Sequence, residues 1–182
     1  MPQVYLLTGL PGTGKTTLVK RAVAGFPGGA GGFYTEEIRR GGERLGFQLV
    51  TLDGQEGVLA HVDFARRYRV GKYGVAVDVL EEVGVSALKR AIARCSVIVI
   101  DEIGKMELFS ELFREAVLAA VESGRKVLGT VMLRSHPWAD GLKKLPGVNL
   151  FEVTRDNRDR LLVEIQDWLR DIAPGSRAET ER

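Results

Sequence analysis

Short, wholly apolar runs alternate with stretches whose apolar residues recur every three to four positions. Val4-Tyr5-Leu6-Leu7 and Val97-Ile98-Val99-Ile100 are runs of the first kind, the pattern of strands buried on both faces of a parallel sheet. Val127 to Leu133 and Leu150 to Val153 read as two further core strands. Helical spacing appears at Leu18, Val19, Ala22 and Val23. It returns at Leu88, Ala91, Ile92 and Cys95, with Ser86 placed as an N-cap, and at Leu108, Leu112, Phe113, Ala116, Val117 and Ala120, closed by Gly124. The last stripe is Leu161, Leu162, Ile165, Trp168, Leu169 and Ile172, beginning at Asp156 or Asn157. This alternation predicts an α/β fold with a mostly parallel sheet and helices on both faces.

One region departs from it. Phe33 to Ile38 and Leu45 to Leu52 are strand-like and flank a Gly41-Gly42 turn, which reads as an antiparallel hairpin. A short strand near Val58–Val62 follows, so residues 31–62 form an antiparallel extension at the sheet edge. The glycines at 28, 29, 31 and 32 read as a flexible break, Ala65 to Lys72 as an exposed basic loop, and Tyr73 to Val79 as a strand. The 182 residues suit one domain, 1–173, with a polar disordered tail over 174–182.

Between the first strand and first helix lies Gly9-Leu10-Pro11-Gly12-Thr13-Gly14-Lys15-Thr16, the G-x-x-x-x-G-K-[ST] phosphate-cradling P-loop (Walker A), with Thr17 beside it. Glycines let backbone N–H groups approach phosphate oxygens, and the helix adds its positive end. Lys15 supplies a cation for the β- and γ-phosphates. The Thr16 hydroxyl is a hard oxygen suited to Mg²⁺. The second apolar strand ends in Asp101-Glu102, the Walker B pattern. Asp101 is the expected metal-side acid with Thr16, and Glu102 the general base that orients a water toward the γ-phosphate.

Composition narrows the partners. Twenty-six basic and 24 acidic residues are interspersed, so no broad basic field marks the chain for nucleic acid. Cys95 is the sole cysteine, which excludes an intrachain disulfide and reads as a buried thiol. His61 and His136 are far apart and suggest no metal pair. With no leader and no run of membrane-spanning length, the default is a cytoplasmic protein away from membranes.

Longer strings carry a resemblance. Gly32-Phe33-Tyr34-Thr35-Glu36-Glu37-Ile38-Arg39, the Gly41-Gly42 turn with Arg44 and Gly46-Phe47, Thr51-Leu52-Asp53-Gly54, and above all Asp101-Glu102-Ile103-Gly104-Lys105-Met106-Glu107-Leu108-Phe109-Ser110 are similar to the nucleoside-triphosphatase family first studied in thermophiles, which includes the human cancer-related nucleoside-triphosphatase. It runs from the P-loop through Asn157-Arg158. It implies a RecA-like core and Mg²⁺-dependent hydrolysis of ATP, GTP and other nucleoside triphosphates with poor base selectivity.

The expected nucleotide-binding set is thus residues 9–17 with Asp101, Glu102, Ile103, Gly104, Lys105, Asn157 and Arg158. Lys15, Glu102 and Lys105 are the catalytic candidates. Lys105 would stabilise transition-state charge, against a plain solvated lysine. Arg39, Arg44 and Arg134 are further cations to weigh. Asn157 and Arg158 would meet the base, against a helix cap with a surface arginine. Two other classes share this core: a small-molecule or nucleotide kinase, and a nucleotide-controlled switch. Monomer is the default, since no trans-acting arginine can be named.

Overall fold

The structure, a computed structural model, describes residues 3–26 and 29–171. Ile172 and the expected tail over 174–182 lie outside the described residues.

Strand β1 (Val4–Thr8) leads through the glycine loop into helix α1 (Lys15–Ala24). Strands β2 (Ala30–Arg40), β3 (Glu43–Thr51), β4 (Glu56–His61), β5 (Tyr68–Val70) and β6 (Tyr73–Val75) follow. A continuous helical stretch comes next: α2 (Val77–Val79), a π-helical segment (Leu80–Val85) and α3 (Ser86–Arg94). The remainder is β7 (Val97–Ile103), a 3₁₀ turn (Glu107–Phe109), α4 (Glu111–Glu122), β8 (Lys126–Val131), α5 (Pro137–Lys143), β9 (Val148–Glu152) and α6 (Arg158–Arg170).

All strands among the described residues join one sheet in the order β5-β6-β4-β3-β2-β7-β8-β1-β9. From β2 to β9 neighbours run parallel; from β2 outward to β5 they are antiparallel. The hairpin extension therefore belongs to the main sheet as expected. Strand β8 separates β1 from β7, and both end on the same side, where ligands of such sheets bind. On one face α1 and α6 bury Leu18, Val19, Leu161, Ile165 and Trp168 against Leu7, Val97 and Val99. On the other, α3 and α4 bury Leu88, Phe113 and Val117 against Ile98 and Ile100.

Five expectations are corrected. The glycines from 31 onward are strand: Gly31 and Gly32 pair with Ile98 and Val99, and a Cβ on Gly32 would stand 2.0 Å from the Val99 carbonyl oxygen. Their absent side chains permit close strand approach, not flexibility. The basic segment is only partly loop, since Tyr68–Val70 pairs with β6. The strand expected over Tyr73 to Val79 stops at Val75, and Val77 already begins helix. Ser86 caps nothing, because helical backbone continues through it from the π segment. Leu112 faces solvent, and the helix start belongs to Ser110, whose hydroxyl accepts from the Phe113 N–H.

Phe33 sits where β2 passes from parallel to antiparallel partners, fully buried and 6.2 Å from the Phe113 ring. Phe33→Ala should cost about 3–5 kcal/mol of stability, read from the urea midpoint.

Candidate functional site

The glycine loop is built by its backbone. Gly9, Gly12 and Gly14 have φ of 147°, 78° and 89°, which side-chain-bearing residues avoid. Gly9 has a further constraint, since a Cβ there would lie 2.6 Å from the Val153 carbonyl oxygen. Gly14 precedes α1 with no side-chain cap, and the first turn holds no acid, so the helix presents its N–H groups to the loop. Lys15 folds back across the loop, its ammonium donating to the Gly9 and Leu10 carbonyls, both at 2.9 Å. Thr13 Oγ1 donates to the Leu10 carbonyl.

The acidic pair is placed by an irregularity between β7 and β8. Ile100 pairs with Gly129, but the next pairing is Ile103 with Val131, three steps against two. The extra residue interrupts the regular alternation that would send adjacent side chains to opposite faces, and Asp101 and Glu102 both line one cavity with Lys15 and Thr16. Asp101 is 2% exposed. Its Oδ1 accepts from the Thr130 hydroxyl, and its carbonyl accepts from Thr35 Oγ1 at 2.6 Å. Its Oδ2 is buried with no hydrogen-bond partner. Burial pushes the Asp101 carboxyl above its ordinary pKa, against the opposing pull of Thr130, Thr16, Lys20 and Lys15. Burial and the neighbouring Asp101 charge also raise Glu102, while Lys15 draws it down.

A third carboxyl, Glu107, was not among the expected site residues. It is 3% exposed, and its Oε2 accepts from the Gly104 N–H at 3.2 Å. A Cβ on Gly104 would lie 2.7 Å from Glu102 Oε1 and 3.0 Å from Glu107 Oε2, so the two carboxyls face one another across that glycine. Burial first, then the Glu102 charge, push Glu107 well above the ordinary carboxyl pKa. Above about pH 4.5 the folded chain therefore keeps a proton that the unfolded chain has released. Stability falls as pH rises toward the folded pKa. Glu107→Gln, which can still accept from Gly104, should be more stable than the parent at pH 8 and close to it at pH 4.5. Thermal melts at the two pH values check this.

Of the expected residues, Pro11, Gly12, Gly14, Lys15, Thr16, Thr17, Asp101, Glu102 and Lys105 line the cavity, which measures about 670 Å³. Lys105 is exposed on its wall. Ile103 and Gly104 are buried behind it. Arg39 and Arg44 both engage Glu37, a cavity residue, at 2.6 and 3.0 Å. Arg134 is exposed and lines neither this cavity nor the smaller one beside it. That second pocket, about 180 Å³, adjoins at Gly14 and Thr17 and is walled by Leu18, Arg21, Arg158 and Leu162. Asn157 does not line it. Its amide accepts from the Thr154 N–H and donates to the Glu152 carbonyl, closing the turn before α6.

A phosphate-loop motif and two strand-end carboxyls around one cavity define a nucleotide-handling enzyme, and the comparisons narrow the class. The chain belongs to the nucleoside-triphosphatase family, whose model, described as NTPase, matches residues 4–166. It is 50% identical to nucleoside-triphosphatase THEP1 of Thermotoga petrophila over 88% of this chain and 89% of that one. It is 41% identical to the human cancer-related nucleoside-triphosphatase, over 91% and 95%. The crystal structure of THEP1 from Aquifex aeolicus superposes with a TM-score of 0.84 at 40% identity, over 91% of this chain and 98% of that one. The chain is a nucleoside-triphosphatase with the mixed α/β fold of its relatives.

Among the described residues no helix is long and apolar enough to cross a membrane.

Proposed function

We propose that the chain is a Mg²⁺-dependent hydrolase that converts ATP, GTP and other nucleoside triphosphates to the diphosphate and phosphate with little base selectivity. The observation that carries this reading is the irregularity after Ile100, through which Asp101 and Glu102 share a cavity with Lys15 and Thr16.

The metal fits the residues present. A buried carboxylate oxygen without a hydrogen-bond partner stands in the same cavity as a threonine hydroxyl, and both are hard donors. Mg²⁺ fills most of its shell with water and phosphate oxygens, so two protein donors suit it. Thr16 and Asp101 would hold it, and when bound it draws charge from the β- and γ-phosphate oxygens.

The chain's own groups do the rest. The backbone N–H groups of residues 12–16 and the start of α1 cradle the phosphates, and Lys15 swings from its carbonyl partners onto the β- and γ-oxygens. Glu102 orients a water and takes its proton as the oxygen attacks phosphorus; its raised pKa makes it a better base than an exposed carboxylate. Lys105, on the cavity wall, offsets charge spreading over the transferring group. Arg158 packs over Gly14, beside the nucleoside end. The Asn157 amide spends one donor and one acceptor position on backbone, which leaves it less to offer a base and supports low selectivity. The interspersed acidic and basic residues favour nucleotides over nucleic acid as the partner, and the proposed enzyme is a monomer.

Phosphate release from ATP, GTP, CTP and UTP, with Mg²⁺ and with EDTA, tests the reading. Rates within about tenfold across the bases, and loss of activity in EDTA, are expected. A single accepted base, or activity indifferent to chelation, would refute it.

A further inference from the structure

The catalytic cavity is larger than a triphosphate tail needs. At about 670 Å³ it lies in the range that encloses a whole drug-sized ligand. The smaller pocket, which adjoins at Gly14 and Thr17 and is walled by Arg158, offers the nucleoside end a place of its own. A triphosphate reaching from there to Glu102 leaves the part of the lining that the wing and the loop after β7 contribute, Glu37, Phe47, Val70 and Met106, for something else.

That part of the lining exists because the antiparallel wing curls back over the site. Tyr68 on the edge strand β5 packs on Phe109, ring centroids 5.0 Å apart, and Val70 two residues on becomes cavity wall. Phe47 lies directly opposite Glu37 across the β2–β3 ladder and is covered on one side by the Arg44 guanidinium at 5.1 Å. Phe47, Val70 and Met106 thus give an apolar surface in the same cavity as the general base, an unusual lining where water is the only nucleophile to be held.

We propose that this part of the cavity is an acceptor site for a primary alcohol carried on a flat, uncharged body, a nucleoside being the simplest example. There Glu102 directs the terminal phosphoryl group to the alcohol as it does to water. The inference rests on the hydrolase reading of the same groups. In the transfer, the acceptor O–H gives its proton to Glu102 and its oxygen forms the new bond to the γ-phosphorus. The bond from that phosphorus to the bridging oxygen breaks, and the oxygen leaves with the nucleoside diphosphate. Glu102 then returns the proton to solvent.

The charges favour an uncharged acceptor over a phosphorylated one. Arg39 and Arg44 are both engaged by Glu37, and Lys20 pairs with Glu36. Lys15 lies across the glycine loop, so among the described residues Lys105 is the lining lysine without a partner, too little for a second phosphate ester.

The test incubates the full chain with ATP and Mg²⁺, with and without millimolar adenosine, uridine or thymidine, and measures ADP, phosphate and nucleoside monophosphate separately. At least one nucleoside should drive ADP at least twofold above phosphate, the difference appearing as monophosphate. Val70→Asp should raise the KM for that nucleoside tenfold or more while the KM for ATP stays within twofold. ADP equal to phosphate with every nucleoside overturns the acceptor site and leaves hydrolysis standing. Absence of phosphate release without nucleoside would instead strike the hydrolase reading.

Discussion

Glu102→Gln should lose about 10²–10⁴-fold in kcat while binding the magnesium-nucleotide complex as tightly as the parent. The amide is nearly isosteric and can still orient a water, but it cannot take the proton. The like charge facing Asp101 disappears as well, so nucleotide affinity should hold or rise. Single-turnover phosphate release beside a fluorescent-nucleotide titration separates the two effects. Parent-like turnover would remove Glu102 from the role of base.

Lys15→Ala should act on the other side of that division. Its ammonium is half-buried over the glycine loop, held by two carbonyls, and its charge already reaches Asp101 and Glu102. Without it, the triphosphate meets two carboxyls with no cation of the loop between them. Nucleotide affinity should fall about 100-fold, equivalent to about 3 kcal/mol. Equilibrium titration by calorimetry measures this directly, and unchanged affinity would contradict the cradle as described.

Local chemistry was easy to read where the motif itself imposes the geometry. Gly9, Gly12 and Gly14 each adopt the positive φ that the loop pattern requires. The apolar run ending at Ile100 became a buried strand, and the stripe from Leu161 to Leu169 a core helix. Features set by distant partners left weaker marks. The three-residue strand at Tyr68 is too short to display an alternation, and its partner β6 is as short. Ser86 has the chemistry of a cap, but the valines before it, β-branched and strand-like on their own, are drawn into helix by packing of Leu80 and Val85. Gly31 and Gly32 looked like slack because close approach to Val99 and Ala91 is a tertiary fact.

The same contrast runs through the site. Asp101 and Glu102 were legible as a strand-end acid pair, yet the extra residue that brings both to one cavity appears only in the β7–β8 register. Glu107 carries no mark of burial in its own sequence, and only the packing of the 3₁₀ turn buries it. Asn157, weighed as a base contact against a helix cap, hydrogen-bonds within the turn before α6, a role that needs only local backbone.

The most direct measurement of the central claim is a crystal structure of the chain with Mg²⁺ and a non-hydrolysable nucleoside triphosphate. The account predicts the ion between Thr16 and Asp101, with Glu102 contacting a water in line with the γ-phosphorus. A terminal phosphate away from the acidic pair, or Glu102 turned from it with no other base nearby, would contradict it.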